Sequence, residues 1–198
     1  MDDIVKQALA KWPNVPHCYG WLGLDARGVW RMRDARAQSL NLPGDKIAHA
    51  ALNGFIARNY ARDERGRWFF QNGPQRVYVR LEATPYIARS DPRHGFVLHT
   101  GAALGAPEAA FLCDGGELIL QRGEVVAQLD DRDLAPLLGA LEVDGRTATD
   151  DDLLAWLDGG DAALTLRVAE AALPVRRMRY ATRGARFDFV AEPTPEMS

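Results

Sequence analysis

Cysteine is scarce in this 198-residue chain. There are two, Cys18 and Cys113, far apart and in no metal-ligand spacing. A structural zinc site draws its ligands from short-range Cys/His pairs, so no metal and no cofactor is expected, and two free thiols in a reducing cytoplasm are the simplest reading. Lysine is scarce too. Only Lys6, Lys11 and Lys46 occur among 24 basic side chains, so nearly every cation is a guanidinium. No apolar run approaches the ~18 residues of a membrane-spanning helix. The N-terminus opens on Asp2 and Asp3 with no apolar stretch behind them, which is no signal peptide. These absences leave a cytoplasmic globular protein with no membrane partner as the expectation.

What is present is ordinary in amount and uneven in placement. With 47% apolar and 26% charged residues, the chain fits one domain or two small lobes. The net charge of −3 divides into +6 for residues 1–99 and −9 for 100–198. Such halves attract each other within a chain or between two copies. A nucleic-acid binder shows a dominant basic patch and a high pI, whereas the pI here is about 5.8, so no nucleic acid is expected.

The punctuation of the chain predicts its elements. Asp2–Lys11 reads as a helix with acids at its start and lysines at its end. Trp12-Pro13-Asn14-Val15-Pro16 reads as an extended connection. Trp21-Leu22-Gly23-Leu24 and Val29-Trp30-Arg31-Met32 flank Asp25-Ala26-Arg27-Gly28, a hairpin around a type I turn. The pattern D-x-R-G-x-W recurs at Asp63–Trp68, 38 residues on, and Asp114-Gly115-Gly116-Glu117 is a looser third turn. A helix is expected from Asp45, as N-cap, to Ala61. Strands follow at 67–71, 76–81, 86–88 and 96–100, then 110–112, 117–121 and 125–129. Helices are expected at 131–141 and, after a Thr149 cap, 150–158, with closing strands at 164–168, 175–180 and 186–190. Hairpins broken by single helices make an α+β fold of antiparallel sheets, with two repeated strand–helix motifs as one organisation. The lobes are drawn at 1–104 and 105–198, with one continuous domain as the alternative.

The order Leu24–Trp30, a helix, Asp63–Phe70 and then Arg76–Ala88 resembles the bacterial domain of unknown function 1285. Thr84 and Tyr86 depart from that family's pattern. The opening Lys11–Trp21 resembles a narrower proteobacterial family of unknown function, number 2946. The resemblance covers about half the chain. It implies an α+β fold of repeated strand–helix motifs and a ligand-binding or signalling role, and it carries over no catalytic residue.

Arginines give the leading site. Arg31 and Arg33 share one strand face, opposite Trp30 and Met32; Arg76 and Arg80 share a face with Tyr78, opposite Val77, Val79 and Leu81. If both strands lie in one sheet, these side chains suit a carboxylate, a phosphate or an acidic peptide. The plain alternative is a solvated sheet face paired with Glu82, Asp34 or the acidic second half. Cys18 beside His17 is a weaker candidate nucleophile, with His49 or His99 as its base; a small apolar Cys18 packed under the proline-rich connection is the plain alternative. His49 reads as a surface or groove-rim residue and His94 as solvated. The glycines of Thr100–Gly105 lack a phosphate-loop ending, and Asp150-Asp151-Asp152 reads as a helix start. The expected function is a non-enzymatic, signalling-related module binding a small anionic ligand or a partner protein, as a homodimer in one version. The alternatives are a thiol-dependent hydrolase and a purely structural interaction protein.

Overall fold

Turn chemistry decides most of the architecture. In the computed structural model, which describes residues 1–168 and 171–195, both D-x-R-G-x-W segments are built alike. Asp25 Oδ1 accepts the N–H groups of Arg27 (3.0 Å) and Val29 (2.8 Å), and Asp63 Oδ1 those of Arg65 (3.0 Å) and Arg67 (2.9 Å). Gly28 and Gly66 both take φ 75°, the left-handed backbone such turns require. The tryptophans that end the two motifs point into one core, where Trp30 and Trp68 pack on either side of Tyr60 with ring centroids at 5.2 and 4.8 Å.

The chain divides into two units, residues 1–85 with 188–198 and residues 86–187. The first contains α1 (Asp3–Lys11), β1 (Cys18–Leu24), β2 (Trp30–Met32), α2 (Ala35–Ser39), β3 (Asp45–Lys46), α3 (Ala50–Arg58), β4 (Tyr60–Arg62), β5 (Trp68–Asn72) and β6 (Gln75–Leu81). Its sheet runs β3-β2-β1-β6-β5-β4, antiparallel except for β1 beside β6. Leu22, Leu24, Val79, Leu81, Phe70 and Trp68 are buried, with Ile56 of α3. The expected helix from Asp45 starts later, because Asp45 and Lys46 pair with β2 and His49 caps α3 by accepting the Leu52 N–H on Nδ1.

The second unit contains β7 (Tyr86–Asp91), β8 (Gly95–Leu98), β9 (Ala109–Cys113), β10 (Leu118–Arg122), β11 (Val125–Leu129), α4 (Asp131–Leu138), β12 (Leu141–Val143), β13 (Arg146–Thr147), α5 (Asp150–Leu157), β14 (Leu164–Val168), β15 (Ala171–Met178) and α6 (Arg183–Arg186). Its sheet order is β13-β12-β14-β15-β9-β10-β11-β7-β8. Thr149 and Asp152 cap α5 reciprocally. The strand expected at 186–190 does not form. Arg186 ends α6, Asp188 turns the chain at φ 52°, and Val190 makes an isolated parallel bridge to Arg67, just before β5. The lobe boundary expected at 104/105 also differs from the division at 85/86, because β7 pairs with β11 and so belongs with the strands that follow it.

A repeat lies in the topology. β2-β1-β6-β5-β4 and β8-β7-β11-β10-β9 have the same order and the same directions, with a hairpin whose first strand runs parallel to the last strand of a three-strand meander. Gln71 and Gln121 close equivalent tight turns, donating Nε2 to the carbonyls of Gly73 and Gly123. The fold is α+β, with two open sheets and short helices.

Candidate functional site

Register places the arginines. Gly23 on β1 lies directly between Arg31 on β2 and Arg80 on β6, and Lys46 on β3 extends the same row. Arg33, one residue past β2, donates its backbone N–H to Trp21 (2.8 Å) and so lies one step along the same face. A Cβ on Gly23 would stand 3.6 Å from Arg33 Cδ and 3.8 Å from Arg31 Cβ. Gly23 is therefore the floor between three guanidinium stems. Above it opens a cavity of about 290 Å³, lined by Gly23, Leu24, Asp25, Arg31, Arg33, Asn41, Pro43, Arg80 and Glu82. That is the small end of ligand-pocket sizes, which run from about 300 to 1,000 Å³.

The wall opposite the sheet is the loop after α2. Gly44 lets it approach: a Cβ there would sit 2.3 Å from the Met32 carbonyl, and its φ of 84° is open to glycine. The close approach brings the Leu42 carbonyl to Arg33 Nε (3.1 Å), and Gly20 O takes Arg33 Nη1 at 3.4 Å. Arg33 is 6% exposed and, among the described residues, has no carboxylate in ion-pair contact. Burial and the neighbouring charge of Arg80 push its guanidinium below the ordinary arginine value, and Glu192 opposes them.

The other two cations are paired at one edge. Arg31 Nε and Nη2 both meet Asp25 Oδ2 at 2.8 Å. Arg80, which lines the cavity, meets Glu192 Oε1 through Nε at 2.6 Å. Glu82 stands exposed at the rim, accepting the Ala26 N–H on Oε2. Such a site can hold a small anion through several guanidinium N–H groups at once.

Two of the five expected ligand residues lie elsewhere on the sheet. Tyr78 is 1% exposed, stacked on Tyr19 at 4.6 Å, with its hydroxyl donating to Asp63 Oδ2 at 3.0 Å. Burial pushes that hydroxyl's pKa up, and no ligand reaches it without unpacking the sheet. Arg76 lies over the Phe69 ring at 4.6 Å. The expected five-residue face thus narrows to Arg31, Arg33 and Arg80. Sequence reading missed Gly23, Asp25, the 41–44 wall and Glu192. Gly23 is one of two glycines on β1, and its place beside Arg31 and Arg80 follows only from the strand pairing.

The thiol candidates are not assembled. Cys18 is half-buried on β1, burial raises its pKa, and no histidine hydrogen-bonds it among the described residues. A nucleophile needs the opposite shift. Exposed His49 caps α3, and His99 lies in the second unit, its Nδ1 accepting the Ile87 N–H at 3.2 Å. Cys113 is buried, its thiol pushed up to about 12, by burial first. Among the described residues no group of three or more His, Cys, Asp or Glu could hold a metal, and no helix is long and apolar enough to cross a membrane.

A family model described as "Protein of unknown function (DUF2946)", and labelled DUF2944, matches residues 1–194. The chain belongs to that family. No curated protein matches this DUF2946 chain. It is similar to a DUF1285 family protein from Silicibacter pomeroyi DSS-3, known from a crystal structure. The two share 16% identity and a TM-score of 0.49 over 89% of this chain and 96% of that one.

Proposed function

We propose that the first unit of this DUF2946 protein binds a small anionic ligand in the Arg31/Arg33/Arg80 pocket. One observation carries the reading: Arg33 is buried near Arg80, its guanidinium is held among the described residues by two backbone carbonyls, and it lines a cavity whose floor is a glycine. A buried guanidinium without a carboxylate is costly. An anion entering the cavity supplies the missing counter-charge and at least two hydrogen bonds.

The charge balance sets the size of the ligand's charge. Asp25 pairs with Arg31 and Glu192 with Arg80, which leaves Arg33 for one negative charge of a ligand, and a second fits where it displaces Glu192 from Arg80. Thermal-shift assays with dicarboxylates, phosphate and phosphosugars, at constant ionic strength, test the reading. A ligand at 100 times its Kd should add about 2.7 kcal/mol of stability. Arg33→Met, which keeps the stem and removes the charge, should abolish that gain. A gain that survives Arg33→Met, or no gain from any anion, contradicts it.

A further inference from the structure

Arg80, which lines the pocket, is already paired with a carboxylate of its own chain, and that carboxylate arrives on a separate strap. β5 and β6 pair from Asn72↔Gln75 up to Phe69↔Tyr78, after which β6 runs on without β5. The returning C-terminal segment occupies the vacated edge. Val190 N–H donates to Gly66 O at 2.9 Å, and Leu81 N–H donates to Ala191 O at 2.8 Å. Glu192 then meets Arg80.

Three features separate this contact from an ordinary structural ion pair. The Glu192 side chain is 65% exposed against 28% for Arg80, so the pair is solvent-screened and worth little. Glu192 also acts through space on the charge of Arg33, which has no carboxylate in ion-pair contact among the described residues. Finally, the strap meets β6 through the Leu81 N–H, which donates to Ala191 O at 2.8 Å.

Resting on the pocket reading above, we infer that Glu192 is a displaceable stand-in for a ligand carboxylate. A small dicarboxylate takes Arg80 from Glu192 and reaches Arg33 with its second group, and its arrival frees residues 190–192 from β6. A carboxylate is the chemistry that Arg80 already accepts at 2.6 Å in this geometry. The exposed Glu82 at the rim disfavours ligands of higher negative charge.

The test is isothermal titration of succinate and of inorganic phosphate into the native protein, Glu192→Gln and Arg33→Met, together with hydrogen exchange at the Leu81 amide. Succinate should bind Glu192→Gln about two- to five-fold more tightly than native, the range an exposed ion pair commands. It should bind Arg33→Met at least ten-fold more weakly. Saturating succinate should speed Leu81 exchange in the native protein. Equal succinate affinity for native and Glu192→Gln overturns the stand-in role and leaves the pocket intact, and unchanged Leu81 exchange overturns release of the strap. Phosphate binding without succinate binding overturns the carboxylate assignment. Binding of neither anion overturns the pocket itself.

Discussion

Across β2, β1 and β6 of the first unit lies the row Arg31–Gly23–Arg80; across β8, β7 and β11 of the second lies a row on the corresponding face, His99–Ile87–Gln128. Strand order and directions are the same, but Arg80 lies four residues beyond Arg76 at the β5–β6 turn and Gln128 two beyond Val126 at the β10–β11 turn, and the side chains are opposite in kind. Ile87 is 1% exposed and fills its face of the sheet where Gly23 leaves the first unit's open, while Gln128 beside it accepts the Tyr180 hydroxyl at 2.9 Å. On that face of the second sheet Phe111, Cys113, Ile119, Val126 and Met178 form a closed core, with Phe187 packed on it. The next position repeats the contrast. Arg89 pairs with Asp130 in the second unit, where the first has two acids, Asp25 and Glu82, with Asp25 turned to Arg31. One scaffold thus serves burial in one unit and an open, charged cavity in the other, so any binding activity belongs to the side chains at this row and not to the topology.

Exchanging the two rows breaks the comparison most severely in the filled unit. Ile87→Gly should cost about 3–5 kcal/mol in urea unfolding, from a lost buried side chain, the cavity left behind and the added backbone entropy. Asp130→Ala should cost about 1–3 kcal/mol. Burial pushes the Asp130 carboxyl up, but hydrogen bonds from the Arg132 side chain and backbone outweigh it and hold it well below the usual carboxylate range. A depressed folded-state pKa contributes stability above the unfolded value of ~3.9 that is lost as pH falls below it. The native protein should therefore lose stability below about pH 4 more steeply than Asp130→Ala, as urea midpoints from pH 2 to 7 would show.

In the open unit the same exchange should change binding more than folding. Gly23→Ile should lower anion affinity at least ten-fold, since its Cβ meets only ordinary contacts at 3.6–3.8 Å while its branches fill the floor; calorimetric titration reads this. Arg80→Gln, which removes the charge and keeps a polar side chain, should weaken binding several-fold and shift the melting temperature little. Cys18→Ser should leave anion affinity unchanged, and any thiol-dependent activity lost with it would revive the hydrolase alternative.

The sequence made some of this visible and hid the rest for physical reasons. Turn residues speak locally, so the Asp25 and Asp63 hairpins, the Thr149 cap and most strands are legible. The 38-residue recurrence is real as turn chemistry, yet it joins β1 to β2 in one case and β4 to β5 in the other. The architectural repeat links β1 with β7 and β6 with β11, strands alike in pairing and unlike in residues, so nothing local announces it. Arg31, Arg33 and Arg80 could be grouped from alternation alone. The burial of Tyr78 could not, because it depends on Tyr19 and Asp63 arriving from other strands. Glu192 is 112 residues from Arg80, and only the returning chain brings them together.

The most direct test is a titration of succinate into the isotopically labelled protein, following the Nε–Hε resonances of Arg33 and Arg80, the Gly23 amide and the Gln128 side-chain amide. Saturable shifts at Arg33, Arg80 and Gly23, with Gln128 unmoved, are the expected result. Unmoved arginines, or shifts that reach Gln128 equally, would contradict a binding site confined to the first unit's open row.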